Sequence, residues 1–177
     1  MENNIYGTAY KQVNLLQDVG MLASNNVQGL EMGVRRLRST KVSVASIKGF
    51  RYEIEGAAEL VRNKKTVVAL SKRVNVPWRK GFLGSITGRT DIDVVVEENG
   101  QRIYYQFKRT TGAVGSGAEG LQDAKAWVTK GLKDLNAKGQ YDRVRYALPN
   151  GAADLPNSVE TWFNKVGIVT EAIPSLD

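Results

Sequence analysis

The feature that most constrains this chain is an Asn99-Gly100 dipeptide set between two apolar runs within residues 90–109. Both central positions of a type I′ turn need φ > 0, which Asn and Gly tolerate, so the pair predicts a two-residue hairpin. The turn then fixes the register. Glu98 opposes Gln101, Val95 opposes Tyr104, Asp93 opposes Gln106 and Asp91 opposes Lys108. Side chains alternate along a strand, so Ile92, Val94, Val96, Ile103, Tyr105 and Phe107 form a core face. Asp91, Asp93, Val95, Tyr104, Gln106 and Lys108 share the other.

Two carboxylates, an amide and an ammonium therefore meet at one end of the hairpin. Oxygen ligands of this kind suit hard divalent cations. A lysine beside them can stabilise a hydroxide, or the charge that develops on a phosphate. A plain Asp91–Lys108 ion pair on a solvated sheet face is the simpler alternative, but it leaves Asp93 and Gln106 without a role.

Composition removes several chemistries. The chain has 177 residues, enough for one domain with a real core. Hydrophobic content of 42% and charged content of 24% predict a soluble globular protein. No apolar run reaches membrane-spanning length, and no signal peptide is expected. The absence of Cys excludes disulfides and thiolate metal sites. The absence of His excludes imidazole acid–base catalysis, the usual zinc sets and histidine nuclease motifs. Hydrolysis by this chain would rest on carboxylates, Lys, Tyr, hydroxyls or a metal. The net charge of +7 is unevenly spread: residues 35–89 hold fourteen of the 25 Lys and Arg but three of the 18 acids. A basic half beside a carboxylate cluster suits a polyanionic substrate. By charge alone, an ordinary solvated basic surface reads the same way.

The remaining elements follow from periodicity. A weak helical pattern over 1–26 is interrupted at Gly20. Val27, Leu30, Val34 and Leu37 recur at helical spacing. A helix over 49–62 carries the stripe Phe50, Ile54, Ala57, Ala58 and Val61. Residues 66–74 read as a strand. Residues 77–84 mix Trp78, Arg79, Lys80 and Phe82; they fit a nucleic-acid contact by stacking and phosphate pairing, and equally a structural loop whose aromatics cover the core. The Gly-rich stretch 110–120 lacks the Gly-Lys-Ser/Thr ending of a P-loop and reads as a flexible connection. A helix over 121–135, a strand over 144–148, a helix from Pro156 to its stop at Gly167, and a strand over 168–173 complete the chain.

Asp93 on one strand and Gln106-Phe107-Lys108 on the next resemble the active-site core of the PD-(D/E)XK nuclease superfamily. There an Asp faces an acidic residue, and a Lys follows two positions later. Gln106 departs from that pattern: Gln variants occur in the family, but one negative charge is lost. The resemblance implies a glutamate on the preceding helix. Glu53, with Ala57 and Leu60 after it, fits better than Glu55. Met1-Glu2-Asn3-Asn4 also resembles, with Met for Val, the VENN tetrapeptide that opens the variable toxin regions of bacterial contact-dependent growth inhibition proteins. Residues 145–173 resemble the tail of toxin-type members.

The resemblance implies an α/β fold: a mixed central β-sheet flanked by helices, restriction-endonuclease-like, over 46–177, with a small helical N-terminal segment over 1–45. It implies a metal-dependent endonuclease acting on RNA, transfer RNA foremost, or on DNA, as an antibacterial toxin. Asp93, Gln106, Lys108 and Glu53 would be the catalytic set. Asp93, Gln106 and Glu53, with Asp91 as a further candidate, would hold a divalent metal: Mg2+ first, Mn2+ or Zn2+ as alternatives. Trp78, Arg79, Lys80, Arg89 and Arg109 would contact nucleic acid or a partner. The implied partners are nucleic acid and an acidic cognate immunity protein. The toxin would be secreted within a larger cell-surface protein and act in the target-cell cytoplasm. Two other roles fit the same scaffold: a non-catalytic nucleic-acid-binding module, and a housekeeping or restriction-type DNA endonuclease.

Overall fold

A computed structural model describes residues 3–41, 43–75 and 89–174, with 3–13, 75 and 89–91 as backbone only. Five strands form one sheet in chain order: β1 (Thr66–Asn75), β2 (Arg89–Glu98), β3 (Gln101–Phe107), β4 (Val144–Leu148) and β5 (Val169–Ala172). The first three run antiparallel and the last three parallel. Antiparallel neighbours accept a tight turn, whereas parallel neighbours need a long crossover. The sequence supplies both. Asn99 and Gly100, at φ 53° and 73°, turn β2 into β3. Helix α5 (Gly117–Asp134) carries β3 to β4, and α6 (Asn157–Val166) carries β4 to β5. The Gly-rich stretch before α5 is folded rather than a loose connection. It contains a short helix, α4 (Thr111–Val114), whose cap Thr110 accepts a bond from the Ala113 N–H through Oγ1 at 3.2 Å. Val114 is buried in the core.

Helices cover both faces of the sheet. On one face lie α1 (Asn3–Ser24), α2 (Leu30–Leu37) and α3 (Val44–Arg62). Their Leu22, Leu30, Tyr52 and Ala57 pack with Val94, Val96, Tyr105 and Phe107. On the other, Trp127, Val128 and Leu132 of α5 and Phe163 of α6 pack with Val95, Tyr104 and Tyr146. The hairpin face that carries Val95 and Tyr104 is therefore dry, because the two parallel crossovers both lie over it. Helix α3 begins earlier than its apolar stripe suggests, since Ser43 caps it by accepting the Ser46 N–H at 3.2 Å. Helix α1 runs through Gly20 without a break.

The N-terminal helices share the core of α3 and also tie onto β1. Gln28 N donates to Val68 O at 3.0 Å, and Leu70 N donates to Gln28 O at 2.7 Å. Gly29 follows at φ 79°, so close to the Leu70 carbonyl that a Cβ there would overlap it. Further along α1, Asp18 is fully buried and ion-paired with Arg62 of α3.

Near the hairpin turn, charges from the whole sheet meet on the α3 side. Lys65 donates to Tyr105 Oη at 2.8 Å and to Glu171 at 2.7 Å. Arg145 makes a two-pronged pair with Glu98, at 2.9 and 2.8 Å, and also reaches Glu171 at 3.0 Å. Burial, with the Glu171 carboxylate adding to it and Lys65 opposing it, pushes the Tyr105 hydroxyl up to about 12.

Candidate active site at the opening of the central hairpin

The β2–β3 ladder runs from Glu98↔Gln101 to Val94↔Tyr105, in the register the turn dictates, and stops there. On the other side of β2, the register passes from Leu70↔Val94 to Lys72↔Ile92 and skips Ser71 and Asp93. The bulge of β1 lies earlier, between Val67 and Ala69; at Ser71, φ is 48° and the register is kept while the Ser71–Asp93 pair drops out of the ladder. Side chains change faces across that pair. Leu70 and Val94 pack under α3, whereas Val74 and Ile92 pack with Val95 and Tyr104. Strict alternation therefore misassigns Ile92. Asp91 lies beyond the end of the β2–β3 ladder, and on the other edge of β2 it pairs along the backbone with Arg73 of β1.

Asp93 sits at this discontinuity and is only 7% exposed. Its Oδ2 accepts two bonds of 2.7 Å, from Gln106 Nε2 and from the Phe107 N–H. The side chain thus does what the ended ladder no longer does, satisfying a buried backbone donor. Phe107 is held from the far side: its ring meets Tyr52 edge-on at 5.5 Å and leaves no room for a side chain at position 56. A carboxylate only accepts, so Asp93 fixes the Gln106 amide with Nε2 toward it. Gln106 Oε1 must then point away; it is buried and has no hydrogen-bond partner. Gln106 is the ladder neighbour of Tyr146 on β4. Burial first, and then the Asp93 and Asp123 carboxylates, push the Tyr146 hydroxyl well above the usual tyrosine range.

The other predicted residues surround this pair to different degrees. Lys108 follows β3, its N–H donates to Ala147 O at 2.9 Å, and its side chain is half-buried. Alternation puts it on the same side as Gln106. Arg109 is half-buried beside it. Glu53 is half-buried on α3, on the turn between Tyr52 and Gly56, the two residues that meet Phe107. Glu55 is buried and ion-paired with Arg51 of its own helix. Trp78, Arg79 and Lys80 lie outside the described residues, as do the side chains of Arg89 and Asp91. Ser71 and Tyr146 went unnoticed as neighbours of the site. A lone serine inside TVVALSKRV was the available signal for the first. The second depends on a parallel register that local patterning does not encode.

The donor set bears on whether a metal fits. Among the described residues, no three His, Cys, Asp or Glu side chains come together as a metal-holding group. Asp93 and the unpartnered Gln106 Oε1 are nonetheless two adjacent hard oxygens, one of which lacks any donor. Mg2+ binds through one or two carboxylates while keeping several waters, so this pair fits Mg2+. It does not suit Zn2+, which favours His and Cys. No family model, curated protein or solved structure matches the chain.

Proposed function

We propose that the chain is a metal-dependent nuclease. The single observation behind this reading is the Asp93–Gln106 pair at the opening of the hairpin, buried and bonded at 2.7 Å, with Gln106 Oε1 left unpartnered. Asp93 and Gln106 Oε1 would hold a divalent cation, with Glu53 and Asp91 as further oxygen donors. When bound, such an ion supplies Lewis-acid polarisation and a water of lowered pKa. Lys108 stabilises negative charge near the scissile phosphate. The helix and strand order from α3 onward agrees with the PD-(D/E)XK resemblance, and the basic stretch over 35–89 suits a nucleic-acid backbone.

We infer further that the nuclease is an antibacterial contact-dependent inhibition toxin. It would be delivered from a larger cell-surface protein, act in the cytoplasm of the target cell, and be held inactive in the producer by an acidic immunity protein. Transfer RNA is the first substrate to test, and duplex DNA the second.

One observation favours a second reading, a non-catalytic nucleic-acid-binding module: the Gln106 amide donates to Asp93, occupying part of the carboxylate that a metal would use. Incubating the purified chain with total RNA and with plasmid, in Mg2+, Mn2+ or Zn2+ against chelator, separates the two. The nuclease reading expects divalent-dependent strand scission. Binding without scission under every metal would leave the module reading.

A further inference from the structure

The last turn of helix α2 carries Arg35 and Arg36, and Arg38 follows as its C-cap. Arg36 Nη1 donates to Ser71 Oγ at 3.1 Å, and the guanidinium lies 5.1 Å from the centre of the Phe50 ring. Ser71 is the β1 residue that the register skips together with Asp93. Arg36 is therefore anchored one strand away from Asp93. The anchor is firm, because Gln28 bonds on both sides to β1 and Gly29 rests on the Leu70 carbonyl. A planar guanidinium stacked on a ring is preorganised, and its donors form a fork that matches phosphate. Arg35 and Arg38 are exposed beside it, and Lys41 and Lys48 continue the positive charge toward α3.

We propose that Arg36 is a phosphate-binding residue of the Asp93 site, and that Arg35 and Arg38 extend it into a track for a nucleic-acid backbone. This rests on the nuclease reading for its substrate class, but it assigns a role to the N-terminal helices that the motif residues alone do not.

The test uses the full chain with Asp93→Asn, so that binding is read without cleavage. Labelled transfer RNA and a labelled duplex oligonucleotide are titrated by fluorescence anisotropy across a salt series, and the melting temperature of each variant is recorded. Arg36→Ala is expected to weaken binding about tenfold and to lower the salt slope by about one. Arg36→Lys should restore the slope but only part of the affinity. Ser71→Ala, which removes the anchor bond and keeps the charge, should leave the slope unchanged. Unchanged affinity and slope in Arg36→Ala, with the parent still binding, overturns the role of Arg36 and leaves the nuclease reading standing. Equal losses in Arg36→Ala and Ser71→Ala, tracking melting temperature, also overturn it, because Arg36 would then be structural. A parent that binds neither nucleic acid overturns the nuclease reading itself.

Discussion

Asp93 has a structural duty as well as a proposed chemical one, and substitutions can separate them. In Asp93→Asn an amide oxygen can still accept the Phe107 N–H. In Asp93→Ala that donor and the Gln106 amide lose their partner, at a cost of about 1–3 kcal/mol. Both variants are expected to lose cleavage, and chemical denaturation should show the larger stability loss in Asp93→Ala. Gln106→Glu sets two carboxylates against each other, so one must take up a proton or a cation. That variant should melt lower than the parent in chelator and recover in Mg2+; melts indifferent to Mg2+ would count against a metal at this position. The opposition of Asp93 and Gln106 was legible because Asn99-Gly100 fixes a register that needs no tertiary information. The expected opposition of Asp91 and Lys108 assumed that the hairpin ladder continues to the strand ends, whereas the β2–β3 pairing stops at Val94↔Tyr105, and the Asp91 side chain lies outside the described residues.

At the scale of elements, α3 and β3 are fitted through Gly56. A methyl group there would run into the Phe107 ring. Overpacking of this kind costs about 1–3 kcal/mol, so Gly56→Ala should lower the urea midpoint by a corresponding amount and shift Phe107 away from Tyr52. Wild-type stability in this variant would mean that the helix sits farther from the strand than described. Helix α3 was readable from its stripe of Phe50, Ile54, Ala57, Ala58 and Val61. Its true start depended on Ser43, a single capping residue outside the stripe. The burial of Val95 and Tyr104 depended on where α5 and α6 cross, and the docking of α2 depended on the Gln28 backbone. Neither leaves a periodic trace in the sequence.

For the whole molecule, Lys65, Glu98, Tyr105, Arg145 and Glu171 link the ends of the sheet into one charged network. Burial alone would raise the Glu171 carboxyl, but hydrogen bonds from Lys65 and Tyr105 and the charges of Lys65 and Arg145 outweigh it and hold it below the ordinary 4.5. The unfolded chain then takes up the proton first. The stabilisation is present above about pH 4.5 and is lost as pH falls through the lower folded value. Glu171→Gln should therefore melt below wild type at neutral pH, with the gap closing in acid; a gap constant from pH 7 to 3 would contradict the network's role. The excess of bases over 35–89 also predicts that an acidic inhibitory protein associates quickly and more slowly as salt rises, which stopped-flow mixing would read. The central claim, that Asp93 directs metal-dependent phosphodiester hydrolysis, is tested most directly by comparing wild type with Asp93→Asn on transfer RNA and plasmid in Mg2+ and in chelator. The account predicts cleavage by wild type in Mg2+ alone and none by the variant. Cleavage that survives either Asp93→Asn or chelator would contradict it.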